Sequence, residues 1–143
     1  MKKLGVVEGF YGSLMSFSQR NSIVESLSNN NLNFYLYAPK EDPFIRKHID
    51  LDHSKEWEEQ FQNFCHPANE KPIQVSAGLC PKTNDYGSLA NKINKFKSLG
   101  CNHFAILFDD TEDYDLKRQL DIFDRVENEF QDSETIFCPS IYT

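Results

Sequence analysis

The strongest constraint on this chain is an alternation that recurs along its whole length. Short runs of β-branched and aromatic residues are separated by longer segments with helical spacing. The apolar runs are Leu4–Val7, Phe34–Ala38, Ile73–Ala77, Phe104–Phe108 and Ile136–Cys138. Several lack polar alternation, as expected of strands in a parallel sheet buried on both faces. Between them, Ile23, Val24 and Leu27 share one helical face, as do Trp57, Phe61, Phe64 and Cys65. A third set is Leu89, Ile93 and Phe96, and a fourth is Leu116, Leu120, Phe123 and Phe130. Ser16 or Ser18, Asp52 or Ser54, Asp85 or Ser88, and Asp113 or Asp115 are candidate N-caps; Asn30-Asn31 and Gly100 are candidate stops.

The predicted order is β-α-β-α-β-α-β-α-β, with a period of roughly 30–40 residues, which is α/β with parallel strands. Such units either close into a barrel or remain an open doubly wound sheet. A closed barrel needs eight strands and about 250 residues, whereas this chain has 143 residues and five strand signals. It therefore reads as one unit over 1–143, either the first five strands of a barrel or a small open sheet.

Hydrophobic residues make up 39% of the chain and aromatics 13%, enough to build a core. The net charge of −7, with no cluster of Lys or Arg in the sequence, argues against nucleic acid and anionic lipid as partners. Cys65, Cys80, Cys101 and Cys138 are widely spaced, the pattern of reduced thiols rather than a disulfide framework or zinc site. The apolar start is broken at Glu8, so neither a signal peptide nor a membrane helix is expected, and the predicted location is the cytoplasm. His48, His53, His66 and His103 show no ligand spacing, and the acids after Thr111 lack the pattern of a calcium loop. No metal or other cofactor is expected.

Polar residues collect at the ends of the predicted strands. The first strand runs into Glu8-Gly9-Phe10-Tyr11-Gly12, the second into Pro39-Lys40, the third into Gly78, the fourth into Asp109-Asp110 and the fifth into Pro139-Ser140-Ile141-Tyr142. In parallel α/β folds these ends converge on one rim, where sites are built. Two adjacent carboxylates resist joint ionisation, which favours one proton donor beside one anion. A helix-capping loop is the alternative for Asp109-Asp110, and Glu112, Asp113 and Asp115 are read as capping residues. Lys40 could donate to substrate hydroxyls but by itself reads as an exposed turn lysine, and Cys138 and Trp57 read as core, with Cys138 also a candidate for the pocket wall.

Four blocks then carry a family resemblance. They are Gly5-Val6-Val7-Glu8-Gly9-Phe10-Tyr11-Gly12; Asn33-Phe34-Tyr35-Leu36-Tyr37-Ala38-Pro39-Lys40-Glu41-Asp42-Pro43; Leu99 through Asp110; and Phe137-Cys138-Pro139-Ser140-Ile141-Tyr142. In order and spacing they resemble glycoside hydrolase family 84, the protein O-GlcNAcases and hyaluronidase-like β-N-acetylglucosaminidases. The resemblance implies a TIM-type barrel, here incomplete, with about five parallel strands and four helices. It implies removal of terminal β-linked N-acetylglucosamine from a glycoconjugate or glycoprotein, by substrate-assisted retaining catalysis through an oxazoline. By position, Asp109 would polarise the 2-acetamido N–H and Asp110 would serve as general acid and base. Gly9 and Lys40 would meet sugar hydroxyls, Tyr142 would lie by the acetamido group, and Tyr11 would lie near the pocket.

The sequence departs from the family pattern where Leu14-Met15 and Phe17 replace a Pro-Trp pair, at Ser76-Ala77-Gly78, and at Glu41. Its later strands, with the residues that grip the sugar's outer hydroxyls, are absent from the 143 residues. The alternative is therefore a catalytically inactive half-barrel that binds sugar or a partner, its open edges covered by self-association or by a separate C-terminal half. A receiver-like open sheet is disfavoured, because its acids would follow the first strand and its lysine the last.

Overall fold

The structure, a computed structural model, describes residues 2–109 and 111–141. Five strands, β1 (Gly5–Glu8), β2 (Phe34–Tyr37), β3 (Gln74–Leu79), β4 (His103–Leu107) and β5 (Glu134–Cys138), alternate with four helices. These are α1 (Phe17–Asn29), α2 (Lys55–Glu70), α3 (Tyr86–Ser98) and α4 (Leu116–Glu129). The helices start at Ser16, Ser54, Asp85 and Asp115, whose side chains accept from the backbone N–H of Gln19, Trp57, Ser88 and Arg118. At Ser16 the capping box is complete, since Gln19 Oε1 accepts from the Ser16 N–H in return. After α3 the chain reverses through Gly100 at φ +93°, a conformation that a side chain would strain.

All strand pairs are parallel and the order is β1-β2-β3-β4-β5. That order separates the two α/β alternatives. A doubly wound sheet reverses direction at a switch point, as receiver-like domains do, whereas a barrel adds each strand beside the last. The sheet is not closed, because β1 and β5 lie at opposite ends of the order. The chain is an arc of a (β/α) barrel.

The period-two alternation divides the strand residues between two environments. Tyr35, Tyr37, Val75, Ala77, Leu79, Phe104, Ile106 and Phe108 face the helices and form one core with Val24, Leu27, Phe61, Phe64, Leu89, Ile93, Phe96, Ile122 and Val126. The opposite parity, Phe34, Leu36, Ala38 and Ala105 with Leu107 and Ile136, forms a second cluster that contains no helix residue. This is the inner face of the arc. Close packing there requires small residues: a Cβ on Gly78 would lie 2.6 Å from Ala38 Cβ and 2.9 Å from Leu107 Cδ1.

The predicted face of α4 needs correction. Its buried stripe is Gln119, Ile122 and Val126, while Leu116 and Leu120 are exposed. α4 is the last helix in the row, so the flank bearing these two leucines has no following helix against it among the described elements. Trp57, expected in the core, is partly buried, stacked on Phe61 with ring planes 12° apart.

Candidate functional site

The strand ends β1, β2, β4 and β5 meet at the carboxyl rim, and the rim is held from below by buried ion pairs. Glu8 closes β1 on the helix-facing side, where an unpaired carboxylate would be costly. Arg20 of α1 grips it with a two-point contact, Nε donating to Oε2 at 3.0 Å and Nη2 to Oε1 at 2.8 Å. The Tyr35 hydroxyl donates to Oε2 at 2.5 Å. Burial, reinforced by this bond to Glu8, pushes the Tyr35 phenol well above its ordinary value. Glu8 is thus a structural anchor beneath the glycine-containing loop.

That loop is joined to the next. The Ala38 N–H donates to the Glu8 carbonyl at 3.1 Å, and the Lys40 N–H to the Phe10 carbonyl at 3.3 Å. The segment after Lys40 has its own buried anchor. Asp42 accepts from the Tyr37 hydroxyl at 2.5 Å, from His53 Nε2 at 2.7 Å and from the Phe44 N–H at 2.9 Å. His53 lies flat on Trp57, ring centroids 3.5 Å apart. Burial pushes the Asp42 carboxyl up, but the hydrogen bonds from His53, Tyr37 and Phe44, with the electrostatic attraction of the His53 ring, outweigh it and hold it below the usual 3.8.

Lys40 Nζ, placed by these two loops, reaches Asp109 Oδ2 at 3.2 Å; their side chains are 13% and 25% exposed. Asp109 Oδ1 is buried and has no hydrogen-bond donor among the described residues. The structure therefore joins Lys40 to Asp109 across 69 positions of sequence. Gly9 lies in the rim loop beside Val7, and Tyr11 is 72% exposed on the same loop. Asp110 and Tyr142 lie outside the described residues. Cys138 is half-buried at the end of β5 on the inner-face parity, pairing with Leu107, which fits a wall position better than a core one.

Sequence reasoning missed a third support. Buried Gln119 of α4 donates to Ser140 Oγ and to the Asp113 carbonyl, both at 2.7 Å, and accepts from the Ser140 N–H at 3.1 Å. It ties the β5 rim segment to the loop that follows Asp109. Of the two candidate caps Asp115 caps α4, while Asp113 stands before it, accepting from the Asp115 N–H and pairing with Arg118.

Comparison with known proteins bears on the family and the fold. A family profile described as beta-N-acetylglucosaminidase matches residues 4–143. The protein O-GlcNAcases of Rattus norvegicus and Mus musculus are each 31% identical over 157 residues, covering 96% of this chain and 17% of the relative. A solved mutant of the Thermobaculum terrenum O-GlcNAc hydrolase superposes with a TM-score of 0.89 at 25% identity. That match covers 99% of this chain and 36% of the hydrolase. The chain thus spans a minor part of each relative's length, and the profile covers nearly all of the chain: it belongs to the beta-N-acetylglucosaminidase family.

Proposed function

We propose that residues 1–143 supply the first five strands of a β-N-acetylglucosaminidase catalytic domain, which removes terminal N-acetylglucosamine from protein or glycan with retention of configuration. The observation that carries this reading is the division of Asp109: Oδ2 is engaged by Lys40, and Oδ1 is buried with no hydrogen-bond donor among the described residues. An acceptor held in this way suits the N–H of a 2-acetamido group. With that N–H fixed, the acetamido carbonyl oxygen attacks the anomeric carbon. The bond to the leaving oxygen breaks as Asp110 donates its proton to that oxygen, giving an oxazoline protonated on nitrogen, its N–H held by the Asp109 carboxylate. Water activated by Asp110 then opens the oxazoline and restores the β-anomer. The nucleophile belongs to the sugar, the substrate-assisted exception to the two-carboxylate scheme. Lys40 and the Gly9 carbonyl would meet ring hydroxyls, Tyr142 would serve the acetamido group, and Tyr11 would lie near the pocket.

The test is release of nitrophenol from an aryl N-acetylglucosaminide by the full protein that carries this chain. Asp110→Asn is expected to lower kcat by about 10²–10⁴ through loss of general acid–base chemistry. Asp109→Asn is expected to lower it by about 10²–10³ through loss of a preorganised acceptor. Unchanged turnover in either variant would refute the assignment. A second reading, a binding half-barrel without turnover, is favoured by one observation: both ends of the sheet, β1 and β5, are open among the described strands. A protein that binds an oxazoline mimic with no hydrolysis of any β-N-acetylglucosaminide would establish it.

A further inference from the structure

Next to Asp109 the rim opens into a cleft of about 790 Å³ between the segments that follow β2, β3 and β4. Its charge runs against that of the chain. Arg46, Lys47 and Lys82 line it with His48, and Glu112 is the acid among the described lining residues, whereas the chain as a whole carries −7. The cations come from two separate segments, 46–48 and 80–82. Lys47 and Lys82 are exposed, and half-buried Arg46 is positioned by a 3.2 Å hydrogen bond from Nη1 to Cys80 Sγ. Lys82 also feels the charge of Asp85, an acid already engaged as the α3 cap by Ser88. Leu107, the last residue of β4, lies in the cleft two positions before Asp109, and Thr111 and Glu112 follow the acid pair directly. The cleft is thus lined by the segments on either side of Asp109 in the sequence.

A concave surface of one sign focuses its field and raises the local concentration of opposite charge. N-acetylglucosamine is neutral and makes no use of exposed lysines, so the charge of Lys47 and Lys82 addresses what is attached to the sugar. We propose that this cleft receives the leaving group and favours an acidic peptide, with Asp or Glu within a few residues of the glycosylated hydroxyl. Cations spread over two segments match several carboxylates along an extended chain better than the single carboxylate of one uronic acid. The inference rests on the glycosidase reading above and adds the leaving-group class.

The experiment uses the full protein and two glycopeptides of equal length, flanked by Glu or by Gln, with an aryl N-acetylglucosaminide as the uncharged reference. The ratio of kcat/KM for the acidic over the neutral peptide is expected to be about 5–10 at about 20 mM salt and to approach about 2 at about 300 mM, as screening shortens the reach of exposed charges. In Lys47→Gln/Lys82→Gln the ratio is expected to fall to about 1 at both salt concentrations. A ratio is read so that any general change in turnover cancels. A wild-type ratio near one, or a ratio unchanged in the double variant, overturns the inference. Equal preference for a single-uronate disaccharide leaving group overturns the peptide assignment. If the aryl glycoside is not hydrolysed, the glycosidase reading fails separately. Fluorescence anisotropy with the two peptides then decides the cleft: equal binding of both overturns it, and salt-sensitive preference for the acidic one sustains it.

Discussion

Replacing Asp42 by Ala probes the anchor under Lys40. The carboxylate accepts from three groups, and Tyr37 and His53, which supply two of them, are buried. Truncation leaves the Tyr37 hydroxyl and the His53 ring without this acceptor, at about 1–3 kcal/mol for each unsatisfied buried group. Water entering the vacated space recovers part of this, so a loss of about 3–4 kcal/mol is expected at pH 7. For a domain of 143 residues that is a fall in Tm of about 10 °C.

Tyr37→Phe alone removes a donor, and in the double variant the buried hydroxyl no longer needs a partner. The cycle should therefore show a coupling of about 1–2 kcal/mol. The pH dependence has a definite sign. The folded Asp42 carboxyl lies below its unfolded value of 3.8, so its contribution is complete above that value and is lost as pH falls through the folded one. The gap between wild type and Asp42→Ala should be widest near neutrality and narrow at acid pH. Urea unfolding followed by circular dichroism, at steps from neutral to acid pH, measures it. A cost below about 1 kcal/mol at pH 7, or a gap independent of pH, would refute the argument.

Glu8→Ala should cost about 3–5 kcal/mol, because Arg20 stays buried with its two-point partner removed. Adding Arg20→Met should recover much of that loss, and chemical denaturation of the single and double variants checks it. Alkylation followed by mass spectrometry should modify Cys80 and Cys138 before Cys65 and Cys101. Burial pushes the Cys101 thiol up to about 12 and the Cys65 thiol higher still, so both should react only on unfolding.

The element order, the caps and the rim position of Lys40 and Asp109 were legible in sequence because each rests on a local period or a chain-order rule. Edges moved by a residue or two; β5, for example, begins at Glu134 rather than Ile136. The supports of the site were not legible, because each joins side chains on separate elements that only the fold brings together. A signal for one of them existed. Glu8 extends the apolar pair Val6-Val7 onto a buried parity, and Arg20 shares the i, i+4, i+7 face of Val24 and Leu27. Two opposite charges on two apolar faces require each other. Asp42 and His53 offered no such cue, since a turn acid and a lone histidine are ordinary on a surface. The α4 leucines misled because periodicity gives a face without saying whether a neighbour covers it.

The unbroken strand order also shapes how this arc can assemble. A doubly wound sheet must fit later strands on both sides of earlier ones, but here each strand emerging from synthesis pairs with the strand made just before it. No partner has to be displaced and no gap held open. The contacts that close each step span a single strand–helix–strand unit, so the loop entropy to overcome stays nearly constant from one addition to the next. The arc can lengthen by a repeated local event, and its advancing edge is always the most recently made strand.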